Sequence, residues 1–140
     1  MTPKYTAVIT TTGEGRHGGR SISGDGNLNV KHAFPKETGG AGDGTNPEQL
    51  LGAGWSACFR GALDRAASRQ GIKLHNVDVT AEISLFAEGD NFWLGAVLRA
   101  QTNDVDQATL ASLMDDAHQL CPYSKATRGN IEVQLVAEAA

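Results

Sequence analysis

The residues best suited to do chemistry in this chain of 140 residues are its two cysteines, Cys58 and Cys121. Two thiols are too few for a four-ligand zinc site within one chain. They suffice for a redox pair, in which a substrate oxidises one thiol and the other resolves it as a disulfide. Cys121 precedes Pro122-Tyr123-Ser124. A helix stops before an Xaa-Pro pair and Pro opens a new helical turn, so Cys121 is placed to cap that turn, where the positive helix end favours thiolate. Cys58 sits mid-helix among small apolar residues, where burial alone raises a thiol pKa and makes it inert. Read locally, it is a core cysteine unless a cation is brought to it.

The candidate cations are Arg16 and Arg20, in the glycine-rich stretch Gly13-Glu14-Gly15-Arg16-His17-Gly18-Gly19-Arg20. Glu48 is either a first-turn residue satisfying the helix dipole or an arginine partner. Glu48 and Cys58 are ten residues apart, about 15 Å along a straight helix. If both serve one site, the helix is broken or the two come from different chains crossing antiparallel in a dimer. The four histidines lack metal-ligand spacing, so they read as surface or core residues. Gly39–Gly44 lacks the Gly-Lys-Ser/Thr of a phosphate loop, and Ser56 lacks the Gly-x-Ser-x-Gly of a nucleophile elbow.

These residues must be positioned by a small set of elements. Tyr5 to Thr12 alternates and is β-branched, and Arg20–Ser23 and Asn27–Ala33 flank a Gly24-Asp25-Gly26 turn; together they predict an N-terminal β-meander. Thr45-Asn46-Pro47-Glu48 is a strong helix start, with Thr45 or Asn46 as cap, and the helix extends to about Gln70, buried along much of its length. Leu51, Trp55, Cys58 and Ala62 form one stripe of it; Leu50, Gly54, Ala57 and Gly61 form another of mostly small residues. Val77–Phe86 and Phe92–Gln101 read as a hairpin, Asp106–Leu120 as a second helix, and Ile131–Val136 as a closing strand. This order argues an α+β fold in a single domain, residues 1–140.

The composition narrows the function classes. Hydrophobic residues make up 40% and charged residues 20%, as in ordinary globular domains. A net charge of −4 offers no basic footprint for nucleic acid. No apolar run approaches the ~20 residues that span a bilayer. Met1-Thr2-Pro3-Lys4-Tyr5 lacks a signal-peptide core, so a cytoplasmic location is expected, where a transient catalytic disulfide is allowed and a lasting structural one is not.

Taken together, Thr45-Asn46-Pro47-Glu48-Gln49-Leu50, Ser56-Ala57-Cys58-Phe59, Cys121-Pro122-Tyr123-Ser124 and Ala126-Thr127-Arg128-Gly129-Asn130 resemble the OsmC/Ohr family, and within it the organic hydroperoxide resistance branch. The resemblance also takes in Gly15-Arg16, the Asp25-Gly26 turn and the Gly39-Gly40 loop. It implies an α+β homodimer, in which intertwined, strongly curved sheets wrap two central helices and active sites lie at the dimer interface. It implies reduction of organic hydroperoxides, bulky or fatty-acid ones especially, with electrons from a lipoylated protein. On this resemblance Cys58 matches the peroxidatic cysteine, Cys121 the resolving one, Arg16 the catalytic arginine and Glu48 its partner. No bound metal, haem or flavin is expected, only an external dithiol such as dihydrolipoamide.

An apolar pocket of Phe34, Leu51, Trp55 and Phe59 is expected to select organic peroxides. Leu51 and Trp55 stand where the family pattern has Phe and Tyr, Arg60 stands where an aliphatic residue is common, and the Gly15–Arg20 loop is one residue longer. Two other readings of the chain are a non-catalytic dimer binding a hydrophobic small molecule and a thiol redox sensor.

Overall fold

A computed structural model describes all 140 residues. The chain groups into two compact units, residues 1–50 and 51–140, and the order of elements is the α+β order expected.

The first unit is a three-stranded antiparallel meander of β1 (Ile9–Gly13), β2 (Gly19–Ser23) and β3 (Asn29–Lys31). The expected first strand, Tyr5–Thr12, begins only at Ile9, because the pairing with β2 runs from Ile9 opposite Ser23 to Gly13 opposite Gly19. Tyr5 and Val8 remain 78% and 65% exposed. The expected third strand also shortens. Asn27 is drawn into the turn by Asp25, whose carboxylate accepts from the Asn27 amide at 3.0 Å and from the Ser23 hydroxyl at 2.6 Å, a side-chain capture of backbone donors that competes with the ladder. Beyond β3 the chain turns to the segment ahead of the first helix. The His32 amide donates to Gly19 O at 2.8 Å, the Ala33 amide to Thr45 O at 2.9 Å and the Thr45 amide to Lys31 O at 2.8 Å. His32 and Thr45 form an isolated parallel bridge.

Helix α1 (Pro47–Arg69) is unbroken. Asn46, not Thr45, caps it: its side-chain oxygen accepts from the Gln49 amide at 2.9 Å, satisfying one of the orphan donors of the first turn. The expectation that α1 is buried along much of its length is corrected. Gly52, Trp55, Phe59, Ala62, Leu63, Ala66 and Ala67 are buried, whereas Ala53, Ala57, Gly61, Asp64 and Arg65 are exposed. The apolar stripe at helical spacing covers one face only.

The second unit is a sheet in the order β4-β5-β6 beside the helices. Strands β4 (Val77–Glu88) and β5 (Asn91–Thr102) form the anticipated hairpin. Strand β6 (Glu132–Ala139) reaches three residues further than expected and pairs parallel with β5. Helix α2 (Gln107–Leu120) is capped by Asp106, whose side chain accepts from the Thr109 amide at 2.8 Å. Gln107 fastens its start to β6, donating to Ala137 O at 2.8 Å and accepting from the Ala139 amide at 2.9 Å. The core of this unit joins Trp55, Phe59 and Leu63 of α1 to Leu98 of β5 and to Leu110, Leu113 and Met114 of α2. No helix is long and apolar enough to cross a membrane.

Candidate active site

Helix α2 ends at Leu120 and a six-residue helix, α3 (Pro122–Thr127), begins at once. Cys121 stands between them, its amide still bonded to Ala117 O at 2.8 Å and its carbonyl already accepting from Lys125 at 3.0 Å. The Xaa-Pro boundary therefore falls where the sequence placed it. Cys121 is fully buried, and its sulfur lies 3.4 Å from that of Cys58, the Cys121 S–H donating to Cys58. The two thiols are free and separated by 63 positions in sequence.

The backbone amide of Tyr123, in the first turn of α3, favours the Cys58 thiolate. Burial pushes the Cys58 thiol above its ordinary range and the neighbouring Cys121 thiol adds to this, while the Tyr123 amide pulls it back.

Two contacts fix α3 against α1. The Trp55 indole N–H donates to the Ser124 hydroxyl at 3.3 Å, and both residues are fully buried. The Tyr123 ring lies across Gly54, where an added Cβ would collide with its hydroxyl. Gly54 thus lets the Tyr123 ring lie close against α1, and a side chain there would displace the ring. Neither contact was anticipated from the sequence. The only local hint was an aromatic and a hydroxyl following Pro122.

In the first unit, Arg16 lies in a single 3-10 turn (Gly15–His17) between β1 and β2. Its guanidinium meets Glu48 as a two-pronged fork, Nη1 to Oε2 and Nη2 to Oε1, both at 2.9 Å. The Glu48 side chain is only 15% exposed and that of Arg16 36%, so Glu48 does not point into solvent. The fork holds the Glu48 carboxyl below its usual range, with burial opposing, and holds the Arg16 guanidinium above its own. Arg20 is engaged elsewhere, donating to Asn29 at 2.6 Å. Of the two candidate arginines, Arg16 is the one paired with Glu48. The next residue, His17, packs its ring against Phe34 edge to face, centroids 4.5 Å apart at 88°.

Among the expected pocket residues, Phe34 and Leu51 are partly exposed. Trp55 and Phe59 are fully buried in the core of the second unit. Arg60 is engaged elsewhere, donating to Val77 O at 3.2 Å and to Asp64 at 2.5 Å. No group of three or more His, Cys, Asp or Glu side chains is clustered to hold a metal ion.

Residues 40–136 match the family described as OsmC-like protein. The chain is 47% identical over 133 residues to the organic hydroperoxide resistance protein of Xanthomonas axonopodis pv. citri, covering 94% of this chain and 92% of that one. It is 40% identical over 133 residues to the organic hydroperoxide resistance protein OhrB of Bacillus subtilis, covering 94% and 96%. The crystal structure of an organic hydroperoxide resistance protein from Elizabethkingia anophelis superposes with a TM-score of 0.91 at 40% identity, covering 100% of both chains. The chain belongs to the OsmC/Ohr family.

Proposed function

We propose that this chain is a thiol-dependent peroxidase that reduces organic hydroperoxides, bulky or fatty-acid ones, to the corresponding alcohols. The observation that carries the reading is the 3.4 Å approach of Cys58 and Cys121, which needs a shift of only about 1.3 Å to reach disulfide length. The names of the relatives support the substrate class.

In this reading the Cys58 thiolate attacks the terminal peroxide oxygen, the O–O bond breaks, and the alkoxide takes a proton from solvent and leaves as the alcohol. Cys58 becomes a sulfenic acid. The Cys121 thiol displaces water from it, and the resulting disulfide is reduced by an external dithiol such as dihydrolipoamide, on a lipoylated protein, which is itself oxidised. A thiol raised by burial requires a cation to ionise near neutral pH. Arg16 is assigned that role, held in orientation by Glu48, and it also stabilises charge on the departing oxygen.

Because α1 is continuous, Glu48 and Cys58 of one chain stand about 15 Å apart along its axis. The working unit is therefore taken to be a homodimer of single OsmC/Ohr-like domains spanning residues 1–140, with the Arg16–Glu48 fork of one copy serving the thiols of the other. Phe34 and Leu51 are assigned to the peroxide pocket, with Trp55 and Phe59 supporting it from beneath. A reducing cytoplasm suits the dithiol step.

The test is consumption of cumene hydroperoxide or a fatty-acid hydroperoxide with dihydrolipoamide, by wild type, Cys58→Ser and Cys121→Ser. Turnover lost in Cys58→Ser, with a sulfenic acid trapped in Cys121→Ser, is the expected result. No turnover in the wild type, with both thiols unreactive in the folded protein, would leave a binding scaffold instead.

A further inference from the structure

The turn that carries Arg16 is weakly held by its own backbone. Gly15 and Gly18 flank Arg16 and His17 at φ +60° and +153°, a region open to glycine and strained for other residues. The internal bonds of the turn, His17 amide to Glu14 O and Gly18 amide to Gly15 O, are both 3.2 Å long, at the far end of the normal range. Side chains must therefore fix its position. One fixing contact is the Arg16–Glu48 fork. The other is the edge-to-face packing of His17 on Phe34, with centroids 4.5 Å apart.

Phe34 is itself anchored. Ala33, before it, is buried and bonded to Thr45 O, and the Phe34 carbonyl accepts from the Gly42 amide at 3.0 Å. Thr45 leads directly into Asn46, the cap of α1, and so to Glu48. The Arg16 turn is thus held at two adjacent residues against one framework: Glu48 takes the guanidinium and Phe34 takes the neighbouring ring.

We propose that His17, through Phe34, is a positioning residue for Arg16. Whenever the guanidinium loosens from Glu48 to meet a negatively charged group, the His17–Phe34 contact is what keeps the turn in place. The catalytic consequence rests on the peroxidase reading above; the structural consequence does not.

The experiment has two readouts. In the reduced protein without peroxide, proton exchange at the Arg16 guanidinium is followed by 15N-arginine NMR. In parallel, kcat/KM for cumene hydroperoxide with dihydrolipoamide is measured. The variants are His17→Ala, Phe34→Ala, the double variant and His17→Phe, which keeps an aromatic pair. An edge-to-face pair contributes enough to expect about two- to tenfold faster exchange in each alanine variant, and a similar fall in kcat/KM. The double variant is expected to exchange no faster than either single one, and His17→Phe to restore both readouts. Exchange as slow in His17→Ala as in wild type, or single effects that multiply in the double variant, would overturn the assignment. Wild type without turnover would overturn the peroxidase reading alone, and the exchange measurements would still decide the role of His17.

Discussion

Oxidation of the Cys58–Cys121 pair should raise the thermal stability of this protein by an amount the structure allows to be worked out. The sulfurs lie 3.4 Å apart as thiols and must approach to about 2.05 Å as a disulfide. The shift is about 1.3 Å and falls on Cys121, where α2 gives way to α3. The closed loop spans 63 sequence positions. Chain-entropy loss in the unfolded state from a loop of that size corresponds to about 4 kcal/mol. For 140 residues the unfolding entropy converts that to a rise in Tm of roughly 10–15 °C. The assay is a thermal melt of reduced protein against protein treated with one equivalent of cumene hydroperoxide, with Cys121→Ser as control. The control should form no intramolecular disulfide and show no such rise. A disulfide that forms but leaves Tm unchanged or lowers it would mean that closing the last ångström strains the α2–α3 junction by as much as the loop constraint contributes. The geometric argument would then be refuted.

Other outcomes follow from the same geometry. Glu48→Gln removes one arm of the fork to Arg16 and its charge. With Arg16 36% exposed, the expected loss is about 1 kcal/mol, or roughly 3 °C in Tm. Hydroperoxide turnover should fall roughly ten- to a hundredfold because the guanidinium is no longer aimed; wild-type turnover would remove Glu48 from the mechanism. The pH dependence has a fixed sign. The Glu48 carboxyl titrates lower folded than its ordinary 4.5, so the unfolded chain binds more protons in that window. The stabilisation is full above about pH 4.5 and is lost as the pH falls through the folded value. Acid-side melting curves of wild type should converge on those of Glu48→Gln, and parallel curves would contradict the linkage. Gly54→Ala sets a gain in helix propensity of about 1 kcal/mol against a collision with the Tyr123 ring, which is 38% exposed and free to swing outward. Tm should stay within about 3 °C of wild type while the rate of Cys58 alkylation changes severalfold. An unchanged alkylation rate would show that the ring moves without carrying its amide. Trp55→Phe strips the buried Ser124 hydroxyl of its indole donor and should cost about 1–3 kcal/mol, read as a fall in the urea midpoint.

The local elements and the chemistry of the parts were legible along the chain. Alternation marked the hairpin as Val77–Phe86 with Phe92–Gln101, and the structure extends both strands to Val77–Glu88 and Asn91–Thr102. Asn46-Pro47-Glu48 marked the start of α1, and the Cys121-Pro122 pair marked the break between α2 and α3. These signals are local: a cap, a missing amide or a period-two pattern acts within a few residues, so the chain carries them wherever it goes. Overreach came where a local pattern needed a distant partner. Tyr5–Val8 reads as strand, but only residues from Ile9 onward find β2. The apolar character of α1 suggested burial along much of its length, but the sheet and α2 cover one face.

Which thiols and charges meet was fixed by packing between segments far apart in the chain. That Cys58 and Cys121 lie in contact across 63 positions and that Arg16 rather than Arg20 takes Glu48 depend on how α3 packs on α1 and how the β1–β2 turn meets the start of α1. Gly54 and the Trp55–Ser124 bond show why: each role is defined by an atom some seventy residues away. Their stripes on α1 were legible but their partners were not, because close approach and burial are properties of two surfaces together.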